Sequence, residues 1–126
     1  MKNRFKTWKQ PKIKDRVPTK WGWTVFHPEK LKLGKMTDIG YGCFLNAQEG
    51  ITIGDYVQLG PYVTVTSANT INDTYGKINI MRHAVIGAYT LILPNITIGE
   101  GAKIGAHSII TRNVMGMQTV NHHGKW

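Results

Sequence analysis

Cysteine is almost absent from this chain of 126 residues: Cys43 stands alone. A disulfide framework and a cysteine-rich zinc site are both excluded, and a reducing, cytoplasmic location is the expectation. Long apolar runs are missing too, and none approaches the roughly 20 residues that a membrane-spanning helix needs. The N-terminus MKNRFKTWKQPKIKDR is basic, but no apolar stretch or small-residue cleavage site follows it, so no secretory signal is expected. Acidic residues are scarce, seven against sixteen Lys and Arg, which leaves a net charge of +9. With 41% hydrophobic and 18% charged residues, the composition is that of a folded chain, and its length suits one domain.

The positive charge is concentrated at one end. Residues 1–36 hold eleven of the sixteen basic residues against Asp15 and Glu29, so the other 90 residues sum to zero. Trp8, Trp21 and Trp23 lie in the same stretch. Basic residues interleaved with aromatics suit an anionic nucleic acid or a membrane surface. No heptad, zinc-finger or RNA-binding pattern accompanies them, which argues against nucleic acid. The expectation for residues 1–32 is a solvated cap whose rings cover one end of the core, with peripheral membrane contact as its alternative use.

What the chain has in quantity is a repeat of six. Leu33, Ile39 and Leu45 form one register, and Ile53, Leu59 and Val65 a second. Ile80, Ile86, Ile92, Ile98, Ile104 and Ile110 form a third without a slip. Glycine often follows the aliphatic residue, as at Gly40, Gly60, Gly87 and Gly105, and a small or β-branched residue comes four positions after it. A helix would scatter residues six apart over different faces, and a lone hairpin would alternate strictly. Short strands joined by tight turns fit the period, with each unit stacking on the one below to form a continuous core. Cys43 then falls at a small inward position and reads as a buried, inert thiol. The repeat spans residues 33–114 and is broken between Val65 and Ile80, where about three residues are expected to loop out within 66–79; residues 115–126 form a tail.

The segments ITIGDYVQLGPYVTV and INIMRHAVIGAYTLILPNITIGEGAKIGAHSIITRNV resemble the hexapeptide-repeat acyltransferases, in their sugar O-/N-acetyltransferase branch. The resemblance implies an all-β fold, a left-handed parallel β-helix with three hexapeptides per triangular coil. It also implies a homotrimer with active sites between subunits and acetyl-CoA as donor. γ-Type carbonic anhydrases, which share this fold, hold zinc on three histidines, two of them close in sequence; His83 and His107 have no such companion, so no metal is expected.

Site residues follow from the same resemblance. Its members carry a histidine general base in the loop, in a pattern like V-T-I-T-T-A-S-H; here the stretch ends Ser67-Ala68-Asn69-Thr70, with threonine in the histidine's place. A threonine hydroxyl accepts no proton near neutral pH, which shifts the expected acceptor from a hydroxyl to an amino group that needs less help. His83 and His107 are the candidate substitute bases. Each lies three residues after its isoleucine, so both belong on turns, and their separation of 24 puts them on different corners. His83 is expected to matter more, because it closes the coil carrying the loop. Asn46, Asn69 and Asp73 are the candidate acceptor contacts. Gly87, Ala88, Ala106, Thr111 and Arg112 are the candidate CoA contacts, and Lys125 a further one for its nucleotide. Ala88 and Ala106 are one eighteen-residue coil apart and should stack into a smooth groove for a pantetheine arm. The implied function is acetyl transfer to a sugar, an amino sugar linked to a nucleotide in surface-glycan synthesis. The competing readings are a silent scaffold or binding protein, and an O-acetyltransferase with a non-standard base.

Overall fold

The computed structural model describes residues 6–121; His122, His123 and Lys125 lie outside them. The chain winds into a left-handed parallel β-helix with three faces. The first face stacks Thr24–Phe26, Phe44–Asn46, Thr64–Thr66, Leu91–Ile92 and Ile109–Ile110. The second stacks Leu31–Leu33, Ile51–Ile53, Ile78–Ile80 and Thr97–Ile98. The third stacks Asp38–Ile39, Gln58–Leu59, Val85–Ile86, Lys103–Ile104 and Thr119–Val120. The solenoid thus begins at Thr24 and still adds a strand at Val120, reaching further at both ends than the repeat visible from Leu33 to Val114.

Each strand is two or three residues long, so its side chains point alternately in and out. The third-register isoleucines all point inward, with Ile86, Ile92, Ile98 and Ile110 at most 1% exposed. The small residues four positions after each aliphatic one, Cys43, Ala84, Thr90, Ala102 and Ser108 among them, are buried where the turn closes on the core. The Cys43 thiol donates to the Gly60 carbonyl at 3.1 Å, and burial pushes its pKa up to about 11. It is un-ionised at neutral pH, as an inert thiol should be.

The three corners of the prism differ. From the second face to the third, and from the third to the first, successive inward residues are always six apart, as in Ile53–Leu59–Val65 and Ile80–Ile86–Ile92. From the first face to the second the spacing runs 8, 8, 15, 6 and 4, as Val25–Leu33, Leu45–Ile53, Val65–Ile80, Ile92–Ile98 and Ile110–Val114. Every irregularity of the repeat is therefore placed on one corner. The loop exceeds a plain hexapeptide by nine residues, not the three expected from counting in twelves, because only one turn, not two, separates Val65 from Ile80. It spans residues 67–77 and contains an antiparallel pair, Ala68–Asn69 with Thr74–Tyr75. Ser67, fully buried, staples its base by donating to the Asn46 carbonyl and accepting from the Glu49 amide, both at 2.8 Å.

The N-terminal segment closes the lower edge of the first face. The Arg16 amide donates to the Val25 carbonyl at 2.8 Å, the Asp15 carboxylate accepts from the His27 amide, and the Arg16 guanidinium lies over Phe26. Trp23 is buried, while Trp21 stays exposed beside Lys20. Among the described residues no helix is long and apolar enough to cross a membrane.

Candidate active site

Turns of the two regular corners share one geometry. Their third residue adopts a left-handed backbone, with φ of 64° at His83, 61° at Tyr89 and 62° at His107. Side chains here disfavour that conformation by roughly 1–2 kcal/mol, so the surrounding turn must impose it. Because the rungs stack in register, third residues of successive turns project one above another at the rung spacing of about 4.8 Å. Aromatic residues at this position have to stack. His83 lies parallel to Tyr56 at 5.0 Å, His107 to Tyr89 at 5.0 Å, and Tyr89 to Tyr62 at 5.2 Å.

These ladders stand on separate corners, as the separation of 24 required. His107 belongs to the corner between the third and first faces, together with Ala88 and Ala106. The His107 amide donates to the Ala88 carbonyl at 2.9 Å, which sets the two alanine-bearing turns directly one on the other. The packing is tight: a Cβ on Gly87 would lie 2.5 Å from the Ala106 amide nitrogen. One corner thus offers two methyl groups in line, walled by the Tyr62, Tyr89 and His107 rings.

His83 occupies the corner between the second and third faces, a full face away both from the loop and from the alanines. Closing the coil that carries the loop does not bring it to that loop. Thr111 and Arg112 follow the last strand of the first face, so they sit on the loop's corner and not beside Ala88 and Ala106. Asn69 and Asp73 lie in the loop on that same corner, and Asn46 ends the first-face strand that leads into it. Their side chains serve the local chain: Asn46 accepts from the Gln48 amide at 3.2 Å and Asn69 from the Ile71 amide at 3.2 Å. The Asp73 carboxylate accepts from the Tyr75 hydroxyl, which raises that phenol's pKa. These are turn-building bonds of the kind Asn and Asp make readily. Among the described residues no three of His, Cys, Asp and Glu are grouped to hold a metal ion.

Sequence reasoning missed the tyrosines. Tyr62 and Tyr89 stand three residues after Leu59 and Ile86, the same offset that marked the histidines, and that signal was available.

Comparison with known proteins bears on the repeat and the fold. Residues 77–112 match the family described as bacterial transferase hexapeptide (six repeats). The chain is 40% identical over 88 residues to a serine acetyltransferase of Buchnera aphidicola, covering 65% of this chain and 32% of that protein. It is 31% identical over 113 residues to a putative acetyltransferase of Schizosaccharomyces pombe, covering 82% of this chain and 52% of that one. The chain therefore spans between a third and about half the length of these relatives. Among solved structures, a hexapeptide-repeat acetyltransferase of Vibrio cholerae, complexed with acetyl coenzyme A, superposes with a TM-score of 0.72 at 22% identity, covering 77% of this chain and 58% of its own. The repeat, its three-faced winding and these likenesses coincide: the chain carries the hexapeptide repeat of bacterial transferases over residues 77–112 and is similar in sequence to acetyltransferases and in fold to a hexapeptide-repeat acetyltransferase.

Proposed function

We propose that this protein transfers the acetyl group of acetyl-CoA to the amino group of a small acceptor, an amino sugar carried on a nucleotide. The carrying observation is the corner of Ala88 and Ala106, a narrow smooth strip with His107 at its side. A pantetheine arm is thin and largely apolar and suits such a strip. Relatives that are acetyltransferases support the reaction class.

The choice of an amine rests on the loop. Thr70 is exposed and offers no base where the resemblance calls for histidine. A neutral amine attacks the thioester carbonyl without a base at the loop position; the new C–N bond forms, the C–S bond breaks and the thiolate departs. His107, beside the strip, then takes the proton that the nitrogen sheds. The acceptor's loop and the donor's strip flank opposite edges of the first face. A homotrimer that packs the strip of one subunit against the loop corner of the next would unite them.

A second reading, transfer to a hydroxyl, is favoured by one observation: relatives at 40% and 36% identity are serine acetyltransferases, and serine carries a hydroxyl beside its amino group. One assay separates the two. Thiol release from acetyl-CoA is followed with amino sugars, nucleotide-linked amino sugars, neutral sugars and serine. Turnover confined to amines, lowered about 10²–10⁴-fold in His107→Ala and unchanged in His83→Ala, is the expected result. Faster acetylation of hydroxyl acceptors, above all with His107 removed, would sink the amine reading. Neither turnover nor CoA binding would leave a scaffold.

A further inference from the structure

The variable corner carries a second feature. Leu31, Ile51 and Ile78 stack in register on the second face. The residues just before them, Lys30, Gly50 and Lys77, therefore occupy one position on three successive rungs. Gly50 contributes no side chain and has φ of +102°, so it leaves a notch between two lysines. A Cβ there would meet nothing nearer than the Lys77 stem at 3.6 Å. Two residues further on, Lys32 and Thr52 point outward from the same face, and all of these line one groove.

Its electrostatics are unbalanced. The groove holds three ammonium groups and one carboxylate, Glu49. The Gln48 amide donates to Glu49 at 3.3 Å, while the Lys30 ammonium donates to the Gln48 carbonyl at 3.0 Å. Among the described residues none of the three lysines forms an ion pair; ion pairs join Arg16 to Asp15 and Arg82 to Glu100, and the His27 ring lies 3.7 Å from the Glu29 carboxylate. Like charges lining one groove repel one another, and a bound anion removes that cost. Two rungs separate Lys30 from Lys77, roughly 10 Å between their backbones. Two flexible four-carbon stems close that gap around a group of diphosphate size, and lysine serves phosphates as a compact point charge. Thr52 adds a hydroxyl on the floor.

We infer that this groove seats the diphosphate of a nucleotide-linked acceptor. The inference rests on the proposed acceptor class and adds a location: directly beneath the loop, which ends at Lys77, and away from the alanine strip.

Titration calorimetry at fixed salt with inorganic pyrophosphate and with uridine diphosphate tests it. One equivalent of each should bind the parent protein. Lys30→Gln and Lys77→Gln should each weaken binding about tenfold or more, the loss of one charge-assisted hydrogen bond. Lys103→Gln, on the third face, should change nothing, and acetyl-CoA affinity should be the same in all of them. Unchanged diphosphate affinity in both groove variants overturns the inference. So does an equal loss of acetyl-CoA binding, which would make the groove part of the donor site. Binding to phosphatidylglycerol vesicles without any binding of pyrophosphate overturns it in favour of a lipid surface. Diphosphate binding lost in Lys77→Gln, in a protein that acetylates serine and no sugar nucleotide, would uphold the groove while the acceptor reading falls.

Discussion

The corner that bears His107 and the corner that bears the 67–77 loop are built from the same repeat and end up as opposites. On the first, inward residues are six apart in every coil, turns superimpose, and side chains at equal offsets line up into a methyl strip and a ring ladder. On the second, spacings of 8, 8, 15, 6 and 4 prevent any such column from running the length of the prism. What the irregular corner gains is relief: a hairpin with Ile71 95% exposed, and a glycine notch between lysines. Regularity produces surfaces suited to a long, thin ligand lying along the axis. Irregularity produces places where a compact, polar group can be held, and loops belong there because their backbone must reach water or each other.

The contrast can be broken most severely at the core that both corners share. Ile92 is fully buried on the rung that leads from the ladder corner to the loop corner. Ile92→Ala should cost about 2–5 kcal/mol in denaturant unfolding, since close-packed rungs relax little around a cavity. A cost below about 1 kcal/mol would mean that the coils slide to refill the space. A smaller effect is expected at the regular corner alone. Gly87→Ala puts a methyl against the backbone of the next turn, a neighbour that cannot rotate aside. It should cost about 1–3 kcal/mol and lower the melting temperature, with acetyl-CoA affinity falling as the strip distorts. Full stability in this variant would show that the turns are less tightly stacked than their register requires. The smallest effect belongs to the loop. Ile71→Ser removes an exposed side chain and should shift stability by less than about 0.5 kcal/mol. A larger loss would reveal that Ile71 is covered, by a second subunit first of all, and size-exclusion chromatography with light scattering would then read the assembly state.

The six-residue period determined that the chain forms a solenoid of short strands, which residues point inward and that Cys43 is buried; together with the three-hexapeptide coil that the resemblance implies, it set His83 and His107 on different corners. Each of these depends on counting along the chain, and a period holds in the sequence whether or not the fold is seen. The charge asymmetry was equally legible, although the three tryptophans it accompanies have unequal fates, Trp23 buried and Trp21 exposed. Tertiary structure decided everything that depends on which rung lies next to which. Nine extra residues and not three leave the prism at the loop, because a gap of fifteen can be split into one turn or two, and only strand pairing says which. His107 rather than His83 joins the alanine strip, while Thr111 and Arg112 fall on another corner. Lys30, Gly50 and Lys77, separated by 20 and 27 residues, become neighbours because coils of unequal length bring equal positions together. Unequal coils erase the sequence spacing of such contacts, and in-register stacking restores it in space.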